Sequence, residues 1–172
     1  MAVTLLDPTG ARPTATGALA PRPASLHGKV VGLVDIAKPR SNVFVDRLAE
    51  RLAEHGADVR RFKKPSFSKP APVELRREIA HVCDAVIEAL ADGGACTSCC
   101  VHDIADLEGR GIPAVFVAST EFIDAAETQA AAIGFPALRR VFVVHPIQDR
   151  YDEELRALAD SAFDAVLAAL TT

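Results

Sequence analysis

The chain has 172 residues, 49% apolar and 24% charged, enough to bury the core of one domain. Acidic residues outnumber Lys and Arg by 23 to 19, and 5% of residues are aromatic with no Trp. That balance argues against nucleic-acid binding, which needs cations for phosphates and rings for base stacking. No apolar run approaches the roughly 20 residues of a membrane span, and the start has no basic n-region or long apolar h-region. A soluble cytoplasmic protein is expected.

Residues 1–27 carry Pro8, Pro13, Pro21 and Pro23 among Ala and Thr without a period. They predict an extended N-terminal arm that lies over the domain or reaches a partner subunit, with homo-oligomerisation as the other use. Residues 28–172 read as a single α/β domain. Lys29–Ile36 is a continuous apolar run, as in a strand buried on both faces, and Val43–His55 has helical spacing closed by Gly56. Ala57–Phe62 is a second strand, nearer an edge because Arg60 and Arg61 interrupt it. Lys63–Pro72 is a basic, Pro-rich loop and Pro72–Val82 a helix.

Cys83–Leu90 holds a short third strand, Ala91–Ala95 turns the chain, and Thr97–Arg110 reads as a helix stopped at Gly111. Pro113–Ala118 is a fourth strand and Glu121–Ile133 a helix stopped at Gly134. Val141–Val144 is a fifth strand, and Asp152–Leu170 closes the chain as an amphipathic helix. This alternation predicts a three-layer α/β fold: a mainly parallel five-stranded sheet with helices on both faces, in flavodoxin- or Rossmann-like order.

Ligands of such sheets bind beyond the carboxyl ends of the strands. Topology therefore gathers Lys38, then Lys64, Ser66 and Lys69, then Gly93, Gly94 and the cysteines, then Glu121, then His145 on one rim. Cys96, Cys99 and Cys100 fall within five residues, which in a reducing compartment points to catalysis, redox or metal chemistry. On a helical wheel with Cys100 at zero, Cys96 lies near about −40°, Cys99 near −100° and Asp103 near −60°. Val101, Ile104, Ala105 and Leu107 form the sheet-facing arc. A helix start at Thr97 leaves Cys96 and Cys99 beside unpaired backbone N–H groups, which favour thiolate. Cys-x-x-Cys spacing also lets one sulfur resolve a mixed disulfide on the other.

The expected site therefore has Cys96 as attacking thiolate, Cys99 as resolving partner, Cys100 beside them, and His145 and Asp103 as polar helpers. Lys38, Lys64, Ser66, Lys69, Gly93, Gly94, Thr97 and Glu121 are the expected substrate-binding residues, for a small anionic substrate. The redox couple is thiol/disulfide. An alternative is a thiolate site for zinc, copper or iron on Cys96, Cys99, Cys100 and His102, since soft or borderline ions accept sulfur. A second paired Cys-x-x-Cys, the usual mark of structural zinc, is absent. A third reading is a non-catalytic subunit docking through its arm.

The stretch Gly93-Gly94-Ala95-Cys96-Thr97-Ser98-Cys99-Cys100-Val101-His102-Asp103, followed by Leu107-Glu108 and Gly111-Ile112-Pro113, resembles the UGSC family of selenoproteins and their cysteine homologues. In that family a Sec-Gly-Ser-Cys signature precedes Thr-Ser and a Val-His-Asp helix. The resemblance extends through Pro21–Leu26, Gly28–Leu33, Lys38-Pro39, Lys64-Pro65, Lys69–Pro72, Gly134-Phe135-Pro136 and His145-Pro146-Ile147, over roughly residues 4–150. More distantly, Cys96-Thr97-x-Cys99 with the later His145-Pro146 is similar to the selenoprotein B subunit of glycine, sarcosine and betaine reductases, which cleaves a carbon–nitrogen bond with selenocysteine. The resemblance implies a chalcogen-dependent enzyme. Here, however, the position matching the family's Sec or Cys is Gly93, and its Ser is Ala95.

Overall fold

The computed structural model describes residues 16–172. Its elements follow in the order β1 (Val30–Asp35), α1 (Ser41–Glu54), β2 (Asp58–Lys63), α2 (Val73–Val82), β3 (Ala85–Ala91) and α3 (Gly94–Gly109). Then come β4 (Ala114–Ser119), a 3-10 turn over Thr120–Phe122, α4 (Ile123–Ala132), β5 (Arg139–Val143) and α5 (Asp152–Leu170). All strand pairs are parallel and the sheet order is β2-β1-β3-β4-β5, the flavodoxin-like arrangement. Two expected boundaries move in ways that matter. The cysteine helix starts at Gly94 rather than Thr97, and β5 starts at Arg139 rather than Val141.

Alternation along the strands sorts side chains into two cores. Leu33 of β1, Ile87 of β3 and Val117 of β4 pack with Phe44 and Leu48 of α1 and with Phe163 of α5. Val34, Val86 and Phe116 point the other way, to Ile79 of α2, Cys100 and Ile104 of α3, and Ala126 of α4. Gly32 faces this second layer, and a Cβ there would lie 2.9 Å from Cys83 Sγ. Only glycine lets Cys83 fill that gap, and burial pushes the Cys83 thiol up to about 11, as befits a core side chain. No helix of the described residues is long and apolar enough to cross a membrane.

The arm lies over its own domain along residues 16–27; residues 1–15 of the expected arm are outside the described residues. Gly17 N–H donates to the Gly134 carbonyl at 2.8 Å, and Thr172 N–H to the Pro23 carbonyl at 3.2 Å. The main anchor is the buried Glu108 carboxylate near the end of α3. It accepts the Ala20 N–H at 2.6 Å, the Ala114 N–H at 2.8 Å, and both terminal nitrogens of Arg22 at 2.6 and 2.9 Å. Four donors on one buried carboxylate weld the arm, α3 and the start of β4 together.

Removing that carboxylate strands a buried guanidinium and two amides. Glu108→Ala is expected to cost about 3–5 kcal/mol of stability, read as a lower urea midpoint, and to open residues 16–27 to protease in the native state. An unchanged midpoint and an equally protected arm would contradict this anchoring role.

Candidate functional site

Three groups of polar side chains gather at or just beneath the carboxyl ends of the strands. The innermost is buried. Lys64, at the end of β2, has a side chain with no exposed surface, and it crosses above β1 to reach Glu88 of β3 at 3.0 Å and Asp103 of α3 at 2.6 Å. Asp103 also accepts the Ala71 N–H through both oxygens, at 2.8 and 2.9 Å, with Arg76 at 3.5 Å. Glu88 is on β3 at the same parity as Val86, which is why it faces α3.

These charges set each other's state. Burial, reinforced by Asp103 and opposed by Lys64, pushes the Glu88 carboxyl from 4.5 up to about 8. Burial would lower Lys64, but Glu88 once ionised, with Cys100 and Asp103, outweighs it and the ammonium is held above its ordinary value. Burial, with Glu88 adding to it, holds the Cys100 thiol well above the usual thiol range. Cys99 is also raised, chiefly by burial with Lys64 opposing.

This arrangement redistributes the expected roles. Lys64, expected to bind a substrate anion, is ion-paired out of contact with solvent, and Asp103 is its partner rather than a helper at the thiols. Thr97 is fully buried, and its hydroxyl has no hydrogen-bond partner among the described residues. Ser66 and Ser68 hydroxyls pair with each other at 2.9 Å on the outside of the loop, where Lys69 is exposed. Glu121 is exposed in the 3-10 turn. His102 is exposed on α3 with Nε2 at 3.2 Å from Gln129 Nε2, away from the buried thiols. Among the described residues, no three His, Cys, Asp or Glu side chains are grouped as a metal site would require.

The second group surrounds Gly93. Cys96 lies in the first turn of α3, buried at 2% exposure in the apolar cluster that also holds Cys100, and its thiol donates to the Gly93 carbonyl at 3.1 Å. Gly93 is extended, with φ −160° and ψ 158°, so its conformation does not require glycine. A Cβ at 93 would lie 3.5 Å from Cys96 Sγ and 3.5 Å from Lys38 Nζ, both ordinary contacts. Lys38 is held there by Asp92 at 2.7 Å and lies over the Phe67 ring at 4.9 Å. Gly94 has open space around it. All four cysteines are free thiols.

The third group is His145 after β5. Its Nδ1 lies 3.1 Å from Ser119 Oγ at the end of β4, and its ring meets Phe122 edge-on at 6.3 Å between centroids. It lines a cleft of about 290 Å³ with Asp92 and Gln148, and Gln148 Nε2 donates to Asp92 at 2.9 Å. Asp92 thus links the thiol group to the histidine group.

Glu88, Asp92, Ser119 and Gln148 were not among the expected site residues. Glu88 had a signal: a carboxylate inside the apolar run Ala85-Val86-Ile87-Glu88-Ala89-Leu90 must find a buried partner. The other three are short-range polar residues at strand ends, which sequence alone does not rank.

The fold and the rim define a flavodoxin-like α/β protein with a thiol at the mouth of its sheet. The chain belongs to the UGSC family, whose family model matches residues 4–172. No curated protein matches it in sequence. In fold it is similar to a diflavin flavoprotein A3 from Nostoc sp., with 12% identity and a TM-score of 0.51 over 83% of this chain and 94% of that one. A solution structure of a diflavin flavoprotein A3 from Nostoc sp. agrees similarly, with 13% identity and a TM-score of 0.50 over 81% of this chain and 92% of that one.

Glu88 keeps its proton in the folded state at pH values where the unfolded chain has lost it. Its contribution to stability is therefore full below 4.5 and is lost as pH rises through about 8. Urea midpoints measured from pH 5 to 9 are expected to fall with a slope component of up to about 1.4 kcal/mol per pH unit. Glu88→Gln should remove that component; an identical slope in both proteins counts against a protonated Glu88.

Proposed function

We propose that this protein is a thiol-dependent enzyme acting on a small anionic substrate, with Cys96 as the nucleophile and Lys38 as the cation that receives the substrate's charge. The space over Gly93 carries this reading, because an atom placed at its Cβ position is 3.5 Å from both Cys96 Sγ and Lys38 Nζ. That is near the separation at which a bound electrophile is poised for attack. Cys96 gives its proton to solvent, its sulfur electron pair forms the new bond, and the leaving group departs with the electrons of the bond that breaks. The first-turn N–H groups of α3 favour negative charge in the same place.

Cys100 suits packing rather than attack, since its side chain is fully buried and held as the thiol. Where the substrate leaves a mixed disulfide on Cys96, Cys99 is the resolving thiol: its attack forms a Cys96–Cys99 disulfide and releases the substrate's sulfur as a thiolate. Four free thiols suit a reducing compartment such as the cytoplasm.

The flavoprotein fold neighbours raise the question of a flavin at the β1/β3 switch point. The residues present do not fit its phosphate. Asp35 stands beside the start of α1 and already accepts the Ser41 hydroxyl and, at 2.8 Å, the Ala37 N–H. A phosphate there would meet a carboxylate.

Native-state alkylation followed by peptide mass spectrometry tests the reading. Iodoacetamide is expected to label Cys96 ahead of Cys99 and Cys100. Gly93→Ala should leave the melting temperature unchanged, because the backbone is extended and the contacts ordinary, yet slow Cys96 labelling about tenfold by filling the approach. Lys38→Met should slow iodoacetate more than iodoacetamide. Labelling of Cys96 that ignores both substitutions would sink the proposal.

A further inference from the structure

Cys96 is almost closed off, at 2% exposure, and the Lys38 side chain beside it is 15% exposed. A small molecule has to touch the sulfur for the proposed attack, so an element bordering the thiol has to move. Three connections meet at Lys38 and its partner Asp92. The one after β1 is held by the Ala37 N–H on Asp35 at 2.8 Å, by the Ser41 hydroxyl on the Lys38 carbonyl at 2.8 Å, and by Arg40 on the Arg150 carbonyl at 2.8 Å. The one after β5 is held by Gln148 on Asp92 at 2.9 Å and by Arg150 on the Pro146 carbonyl at 2.6 Å.

The connection after β2 is built differently. One buried carboxylate fixes both of its ends, for Asp103 takes the Lys64 ammonium at 2.6 Å and the Ala71 N–H at 2.8 and 2.9 Å. The Lys64 N–H also donates to the Asp35 carbonyl at 2.8 Å. Between those anchors, among the described residues, no hydrogen bond or ion pair joins residues 65–70 to the rest of the protein; Ser66 and Ser68 bond to each other. Pro65 and Pro70 stiffen the two ends of this stretch. One side chain holds its middle down. Phe67 packs against the apolar cluster that contains Cys96, and its ring lies 4.9 Å from the Lys38 ammonium. A cation–π contact at a partly exposed site is weak, and a segment with so few ties opens without unfolding the domain.

We propose that residues 65–70 form a lid over Cys96 and Lys38, hinged where Asp103 grips Lys64 and Ala71 and latched by the Phe67 ring. The proposal rests on the reading of Cys96 as nucleophile and deepens it by naming what controls entry. Closed, the lid shields the thiol and covers one face of the ammonium. Open, it uncovers both, while the buried hinge keeps the loop's ends and the Lys64–Glu88 pair in place. Phe67 is thus the gate residue of the site, and it takes no part in bond making.

The test uses the full chain in its reduced form, with iodoacetamide as the probe and peptide mass spectrometry reading each cysteine. Cys83, buried just before β3 at the opposite end of the sheet, reports opening of the domain as a whole. Phe67→Ala is expected to speed Cys96 labelling about tenfold and to leave the Cys83 rate within about twofold. Phe67→Tyr, which keeps a ring over Lys38, should label Cys96 as slowly as the natural chain does. A second readout makes no use of the thiols. Backbone relaxation dispersion should show microsecond-to-millisecond exchange at the amides of residues 66–69, with the Lys64 and Ala71 amides quiet. Cys96 labelling that ignores Phe67→Ala, or that rises in step with Cys83, overturns the lid. So does a flat dispersion profile at residues 66–69, or exchange spread equally through β2 and α2. If Phe67→Ala speeds Cys99 in place of Cys96 while the exchange at residues 66–69 persists, the lid stands and the choice of Cys96 as nucleophile fails.

Discussion

Burying Lys64 between two carboxylates is the constraint from which the rest of the rim follows. Taking three ionisable groups out of water costs several kcal/mol for each charge retained, and the chain meets that cost by shedding one charge and hydrogen-bonding the others. Glu88 stays largely protonated near neutrality because burial disfavours its anion, while Asp103 keeps its partners in the Lys64 ammonium and the Ala71 amide. One cluster thereby joins the end of β2, the middle of β3, the centre of α3 and the chain entering α2. The basic loop is consequently folded inward at Lys64 and outward at Lys69, with Phe67 left to carry Lys38.

The same cluster divides the cysteines. Cys100 lies against it and Cys99 feels it, and both are raised toward the thiol form by burial. Cys96 is one turn earlier, where the helix begins and Gly93 leaves its flank open. Three neighbouring sulfurs in sequence are therefore three different environments in space. Adjacent residues on a helix diverge by about 100°, so Cys99 and Cys100 face different ways, whereas Cys96 and Cys100 share a face and are both buried in one apolar cluster.

Much of this was legible in the sequence because it rests on short-range pattern. Five apolar runs separated by helical spacing define a parallel α/β sheet, and topology then carries every strand end to one rim. The gathering of Cys96, Gly93 and Lys38 on one rim follows from that, and the observed sheet order is one of the two the pattern left open. What was not legible depended on long-range electrostatics. Lys38 and Lys64 look alike in sequence, but only Lys64 has buried carboxylates to meet it, 24 and 39 residues away. Glu108 likewise reads as a surface residue near a helix end, yet it anchors an arm that begins 86 residues earlier in the Arg22 contact. The start of α3 was displaced because Gly93 and Gly94 suggest a turn, while the extended Gly93 lets the helix begin at Gly94.

Position 93 is where the family resemblance and the geometry meet. The resemblance places a selenocysteine or cysteine there, and the extended backbone accepts any residue, so conformation did not select this glycine. A side chain at 93 would contact Cys96 and Lys38 at once. Without it, a thiol and an ammonium border a space of side-chain size, and the sulfur nearest that space belongs to Cys96. On the proposed thiol chemistry, a site built that way draws one reacting atom from the protein and the other from its substrate. The cation beside the space favours substrates that carry negative charge there. On the proposed thiol chemistry the chain supplies a single sulfur at this point, so more of the selectivity rests on the groups that hold the substrate in place.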